Sequence, residues 1–292
     1  MASEGDRRTE PEVERRSRLL GGLRLEGEGA RGVAIALFST AVFITAIIVA
    51  VTQSAGWPEV KRTFFDWHDI SSSFPDIARA FVLNVKIFLV CEVFILILAL
   101  IVAVLRSLPG PVFFPLRALA TIYVDLARGV PTILVIALLG FGAPALQLTG
   151  VPRSRVFWAG VGLILVYGGY VAEVYRAGIE SVHPSQEAAA RSLGLSRFQA
   201  LRRVILPQAI RRVIPPLLND FIGLQKDTAL VGTLGVVEAF NQSQIDTNAT
   251  FTYGSYLAAA FLFVALTIPL ARFTDWLIAR DRRRRQAAGG FA

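Results

Sequence analysis

The sequence predicts an all-α, polytopic membrane protein with about six transmembrane helices and both termini in the cytoplasm, and three observations carry that reading. Hydrophobic residues make up 54% of the 292 and charged residues only 18%, against about 45–50% and about 25% in soluble globular chains. The mean hydropathy is +0.54. Positive charge, which gives a net +8, clusters in the flanks of apolar stretches. Length alone would suggest about two soluble domains, but the deficit of charge points to lipid as the solvent.

A hydrocarbon core of about 30 Å takes about 20 apolar helical residues at 1.5 Å each, and six windows are long enough. Residues 1–32, rich in Arg, Glu and Gly, predict a disordered basic tail that touches anionic lipid. Residues 33–52 predict an extra N-terminal transmembrane helix. Its apolar run exceeds the roughly 7–15 residues of a secretory signal and follows a long tail, so a retained helix is preferred. An external loop over 53–79 leads to the main transmembrane domain, 80–278. Within it, spans are predicted at about 80–105, 119–145, 157–177, 214–237 and 253–278. The 214–237 window is the most polar, interrupted by Asn219, Asp220, Lys226 and Asp227. Residues 279–292 read as a second basic cytoplasmic tail. Orientation follows from the bias of Lys and Arg toward cytoplasmic loops. The tails, Arg106 with Arg117, and Arg191 to Arg212 all fall on one side, while the other side keeps few, with Lys61 and Arg62 in the first outer loop and Arg153 and Arg155 in the second.

Several function classes lack their signatures. Basic flanks between spans are a topology signal, so nucleic acid is not an expected partner. No G-x-x-x-x-G-K-[ST] loop is present, so this chain is not expected to bind or hydrolyse ATP itself. His68 and His183 are far apart and Cys91 is the single cysteine, which leaves no zinc constellation and no intrachain disulfide. There is no G-x-S-x-G elbow, and no catalytic or metal-binding residue is assigned.

The segment 181–207 is the most informative. Pro184 with Ser185 starts a helix, the run Ala188, Ala189 and Ala190 favours it, Gly194 suits a C-terminal cap, and Ser196 can cap a second helix. Two short helices with a sharp turn result, offering a small-residue face and the apolar knobs Leu193, Leu195 and Phe198. By these features alone the segment is either a docking surface or an ordinary amphipathic loop.

Resemblance decides between them. The segment resembles the EAA loop of binding-protein-dependent ABC importer permeases, E-A-A-x3-G-x9-I-x-L-P, with Gly194 as the motif glycine, Val204 in place of Ile, and Leu206-Pro207 at the motif's end. The motif glutamate falls on Ala188, while Glu187 lies one residue earlier. The likeness runs from about Asn84 to Ala271 and narrows to permeases for polar amino acids through three further blocks. Tyr123-Val124-Asp125-Leu126-Ala127-Arg128-Gly129-Val130-Pro131 resembles Y-x-E-x-x-R-G-x-P, and Tyr170 to Ile179 resembles Y-x-A-E-x-x-R-G-x-I with Ala177 for glycine. Leu224-Gln225-Lys226-Asp227-Thr228-Ala229-Leu230 resembles L-x-K-D-T-x-L. The resemblance implies a five-helix permease core plus one added helix, half of a homo- or heterodimer. It also implies two cytoplasmic ATPase subunits carrying ATP and Mg, and an external solute-binding protein. Contact with the ATPase then falls to Glu187, Ala188, Ala189, Arg191, Gly194, Leu195, Ser196, Leu206 and Pro207.

Ionisable and helix-breaking residues inside spans are candidates for a substrate path. Thr132 lies ten residues beyond Ile122, about 15 Å along a helix and so near the midplane. Pro131 interrupts the helix there, and both are read as lining the path. Resemblance implies the same, and in place of the acid that some cation carriers have, Thr132 favours a glutamate- or glutamine-like substrate. Lys226, Asp227 and Thr228 can either bind the carboxylate and ammonium of an amino acid or pair with one another to hold a broken helix. Glu173 and Arg176 are expected in a structural ion pair with Asp125 or Arg128, and Glu92 is expected to find Asn84, Lys86 or another subunit. An ion-coupled secondary transporter is the alternative, but no internal repeat is visible. A membrane enzyme or scaffold is a more distant one.

Overall fold

The computed structural model describes the backbone of residues 12–289 and the side chains of residues 31–280 and Arg283. Among the described residues every regular element is helical. The chain divides into two compact units, residues 1–62 and 63–292.

The first unit contains α1 (Glu12–Thr52) and most of α2 (Trp57–Phe64). Residues 31–52 of α1 have the length and hydropathy of a membrane span. The tail expected to be disordered is helical from Glu12 onward, because Leu, Arg and Glu dominate it and all are strong helix formers. Residues 1–11 of that tail lie outside the described residues.

The second unit begins with α3 (Trp67–Ser107), started by Asp66, whose side chain accepts from the His68 N–H at 2.9 Å. Much of the expected 53–79 loop is therefore helix: at 1.5 Å per residue, the 41 residues of α3 far exceed a bilayer's apolar thickness. The predicted 119–145 span is two helices, α4 (Phe114–Gly129) and α5 (Thr132–Ala145), meeting at 103°. Pro131 is the reason. It forces Val130 to extended geometry (φ −98, ψ 130) and cannot donate to the preceding turn.

Helix α6 (Arg155–Glu180) is the expected fourth span, capped by the Ser154 side chain at the Phe157 N–H. It leads through three residues to α7 (Pro184–Ser192) and α8 (Arg197–Ala200), and then through a π-helical turn, Leu201–Ile205, into α9 (Leu206–Asp227). The wide turn suits Pro207, whose ring would crowd the carbonyl one tighter turn back. The predicted 214–237 span is not one helix: α9 ends at Asp227, a 3-10 turn covers Thr228–Leu234, and α10 (Ala239–Thr250) follows. Gly235 takes a left-handed φ of 73° to close that turn. The last helix, α11 (Gly254–Gly289), carries the expected span in residues 254–280 and continues helically into the expected tail. Residues 290–292 of the tail lie outside the described residues.

Among the described residues, four helices qualify as spans by length and hydropathy, or five if α4 and α5 count as one. The sixth expected, α9, does not qualify, because Arg211, Arg212, Asp220 and Lys226 lie along it.

Helix α6 is the centre of the second unit, with α3, α4, α5 and α9 packed around it. Its buried side chains Leu163, Val171 and Ala172 join Ile95 and Ala99 of α3, Val124 of α4 and Ile136 of α5 in one core. Backbone approach makes this packing possible. A Cβ on Gly169 would stand 2.4 Å from the Ala127 Cβ of α4, and one on Gly178 would stand 2.0 Å from Val213 Cγ1 of α9. Gly160 is different, since its nearest neighbour, Cys91 Sγ, would lie at an ordinary 3.6 Å.

Gly169→Ala should therefore cost about 1–3 kcal/mol of overpacking and lower the thermal unfolding midpoint in detergent, whereas Gly160→Ala should leave it near wild type. Equal midpoints for the two variants would contradict the packing described.

Candidate functional site: the coupling hairpin and the charged groups behind it

The segment 181–207 forms a rigid helical hairpin at the end of α6 and the start of α9. Its first helix is capped by His183: the His183 Nδ1 accepts from the Ser185 N–H at 3.2 Å, and Pro184 follows at the first helical position. The turn satisfies the carbonyls of α7 in the two-bond pattern of a left-handed glycine cap. Gly194, at φ 83°, donates to Arg191 O at 3.0 Å, and Leu195 donates to Ala190 O at 3.3 Å. Ser196 and Gln199 then form a reciprocal capping box, at 3.2 and 2.9 Å, that starts α8.

The hairpin buries Ala190 and Ala200 and leaves Ala188, Ala189, Arg191, Ser196, Leu206 and Pro207 exposed, with Leu195 half-buried. Leu193 is 84% exposed and Phe198 67%, so two large apolar side chains stand out from one end of the bundle. Glu187 faces Arg197 across the turn at 3.8 Å. That pair is largely solvated and is worth about 0–1 kcal/mol at most.

Behind the hairpin, Glu173 of α6 gathers three arginines. It accepts from Arg106 of α3 at 2.7 Å and from Arg176 one turn on, and stands 3.9 Å from Arg128 of α4. Arg176 also pairs with Glu180. The expected partner Arg128 is present. Asp125, the other candidate, is exposed and forms no ion pair among the described residues. Arg106, read from sequence only as a topology signal, is the tightest inter-helix partner. A charge at a helix end counts the same for orientation whether or not another helix brings it a carboxylate.

The path residues divide. Ile136 of α5 packs on Gly162, and Ala127 of α4 lies on Gly169, so Pro131 and Thr132 fall beside the middle of α6. Pro131 is exposed and Thr132 half-buried. Lys226 is exposed on α9, and Asp227 accepts from the Tyr167 hydroxyl at 3.0 Å. Thr228 is fully buried, donates to Gln225 O at 2.8 Å and accepts from Asn84 Nδ2 at 3.2 Å, as the alternative in which this block holds a broken helix requires. No hydrogen bond or ion pair among the described residues joins Thr132 to Lys226 or Asp227.

Asn84 is not the partner of Glu92. Its amide bridges Thr228 and, at 2.8 Å, the carboxylate of Glu238, while its oxygen accepts from the Ala239 N–H at 3.1 Å. Glu238, fully buried, also caps α10 through the Phe240 and Asn241 N–H groups. This network fastens the 3-10 turn and α10 to α3. Sequence reading did not find Glu238, although a glutamate shortly after Gly235 and before a helical segment carries a capping signal. Glu92 instead lies within electrostatic reach of Asp220, whose Oδ2 has no hydrogen-bond partner among the described residues.

A bundle of lipid-length helices, one span broken by proline and another by charge, with a rigid hairpin held beyond the helix ends, is the build of a membrane-embedded subunit in a transport complex. Residues 95–283 match the family described as "Binding-protein-dependent transport system inner membrane component", and the chain belongs to that family. It is 38% identical over 204 residues to the probable amino-acid permease protein YxeN of Bacillus subtilis strain 168, which covers 70% of this chain and 90% of that protein. It is 37% identical over 186 residues to the probable glutamine ABC transporter permease protein GlnM of the same organism, 63% of this chain and 83% of that one. The glutamate transport system permease protein GluC of Corynebacterium efficiens is 34% identical over 215 residues, 70% of this chain and 92% of that one. A solved structure described as an amino acid ABC transporter with histidines superposes with a TM-score of 0.67 at 26% identity, covering 74% of this chain and 98% of the other. The all-helical membrane fold and the inner-membrane location read from sequence therefore hold.

Gly194→Ala places a Cβ in the left-handed region at a cost of about 1–2 kcal/mol, and Ser196→Ala removes a cap worth about 1 kcal/mol. Both should speed amide hydrogen exchange across 184–205 while leaving the α3–α6 core protected. Asn84→Leu orphans the buried Ala239 N–H and takes one of three donors from the buried Glu238 carboxylate, about 1–3 kcal/mol in all, and should lower the unfolding midpoint of the whole second unit.

Proposed function

We propose that this chain is the permease subunit of an ATP-driven ABC importer that carries a polar amino acid, glutamate- or glutamine-like rather than cationic, across the cytoplasmic membrane. The observation that carries the reading is the exposed hairpin, with Leu193 and Phe198 held out by a glycine cap and a capping box, in a family member whose relatives include glutamine and glutamate permeases. Four classes of partner go with it: two cytoplasmic ATPase subunits, a second permease chain that is a copy or a homologue, an external solute-binding protein, and lipid. The chain performs no catalysis of its own, and ATP with Mg belongs to the ATPase subunits. Both termini lie in the cytoplasm, on the side of the hairpin.

In this reading the hairpin residues Glu187, Ala188, Ala189, Arg191, Gly194, Leu195 and Ser196, with Leu206 and Pro207 at its exit, lie against the ATPase. Closure of the ATPase pair on ATP pushes the hairpin and turns the bundle from outward- to inward-open. Substrate passes the break at Pro131 and Thr132. Asp227 of α9, which accepts from the Tyr167 hydroxyl, and the adjacent exposed Lys226 are the groups offered to the α-ammonium and carboxylate of the substrate.

The test is ATP hydrolysis by the purified complex in proteoliposomes, with binding protein and each candidate amino acid in turn, comparing wild type with Gly194→Asp. One amino acid should stimulate wild type, and the variant should lose that stimulation. Uptake driven by an ion gradient without ATP, or a chain that isolates with no ATPase, would overturn the proposal in favour of a secondary transporter.

A further inference from the structure

The hairpin has no slack in its attachment to α6. Only Ser181, Val182 and His183 separate α6 from α7. The Ser181 N–H still bonds Ala177 O at 2.9 Å and the Val182 N–H bonds Ile179 O at 3.2 Å, while Val182 itself is buried. Arg212 of α9 donates to Ser181 O, and Gly178 lets Ala209 and Val213 of α9 lie directly on α6. Any displacement of the hairpin therefore moves the adjoining ends of α6 and α9 together.

Seven residues before the end of α6 stands Glu173. Two of its contacts are tight: Arg106 at 2.7 Å, with a side chain only 14% exposed, and Arg176 on the same helix. The third is loose: Arg128 at 3.9 Å, with a side chain 47% exposed. A close, shielded pair persists through small movements, whereas a long, half-solvated pair is readily made and broken. Arg128 is the penultimate residue of α4 and lies three positions before Pro131, where the span turns by 103°. The other ties between α4 and α6 lie further back along α4, where the Tyr123 hydroxyl donates to Leu165 O at 2.6 Å and Ala127 rests on Gly169. Among the described residues Arg128 is thus the last side chain of α4 with a hydrogen bond or ion pair to α6 before the break.

We infer that Glu173 and Arg128 are positioning residues that carry movement of the 184–205 hairpin to the break at Pro131, with Arg106–Glu173–Arg176 as the fixed anchor and Glu173–Arg128 as the adjustable link. This rests on the importer reading and assigns its transmission path inside the subunit. Two sites move together only when a physical element ties them and both bias it, and this pair ties the force-bearing helix to the bend beside Thr132.

The experiment uses the complete complex in proteoliposomes and measures radiolabelled L-glutamine or L-glutamate taken up per ATP hydrolysed, alongside assembly yield and unfolding midpoint. Arg128→Gln should keep assembly and binding-protein-stimulated hydrolysis near wild type while uptake per ATP falls roughly fivefold, the lower edge of typical coupling between sites. Arg128→Lys should restore most of the ratio. Glu173→Asp shortens the carboxylate by one methylene, which the contacts to Arg106 and Arg176 can follow by small movements but the 3.9 Å link to Arg128 cannot, so it should lower the same ratio in a complex that still assembles. It decides the matter if Arg128→Gln does not fold. An unchanged ratio in the variants that assemble would overturn the inference, as would a parallel fall of uptake, hydrolysis and midpoint, which marks a merely structural pair. Failure of the importer reading is seen separately, as wild type that takes up neither amino acid on ATP.

Discussion

Close backbone approach along α6 is the constraint on which the rest of the second unit depends. Lipid is as apolar as leucine, so burial of apolar surface does not drive helices together in a bilayer, and contact must come from fit. Glycine supplies the fit where α4 meets Gly169 and where α9 meets Gly178, distances at which a methyl group would overlap its neighbour. With α6 in the middle, α3, α4, α5 and α9 find places around it, and the hairpin, which joins α6 to α9, is presented as one rigid extension of both.

Polar groups inside such a bundle are expensive unless paired, and the two largest sets of them are used differently. Asn84, Thr228, Glu238 and the start of α10 satisfy one another completely, and the result is a fastening: it holds an irregular 3-10 turn at a depth where unpaired backbone would be costly. Glu173 with its arginines lies near the hairpin end and is graded from tight to loose. One network removes freedom and the other leaves a measured amount of it, which is what a moving part beside a fixed one requires.

Much of this was legible along the chain. Span lengths follow from hydropathy, and the hairpin follows from local chemistry, since proline, an alanine run, Gly194 and Ser196 act within a few residues of themselves. The break at Pro131 was legible as an interruption but not as a 103° turn, because proline dictates its own φ and that of its neighbour while the direction of the next helix is set by what it packs on. Thr228 read as a path residue because it follows a lysine and an aspartate, and only the fold reveals that Asn84, 144 positions away, closes over it. The N-terminal tail was read as disordered and 53–79 as an external loop, because polar sequence near a membrane carries no span signal, although many of its residues favour helix.

By itself, the sequence determined the solvent, the class of fold, the approximate spans and the capped hairpin, since each arises from composition or from interactions a few residues apart. The tertiary structure decided the angle of the broken span, the enclosure of Thr228 by Asn84 and Glu238, and the arrival of Arg106 as the closest inter-helix partner of Glu173. Those depend on which helix faces of distant segments meet, and in a bilayer that is settled by shape and charge pairing between helices, neither of which is written in the order of residues along any one of them.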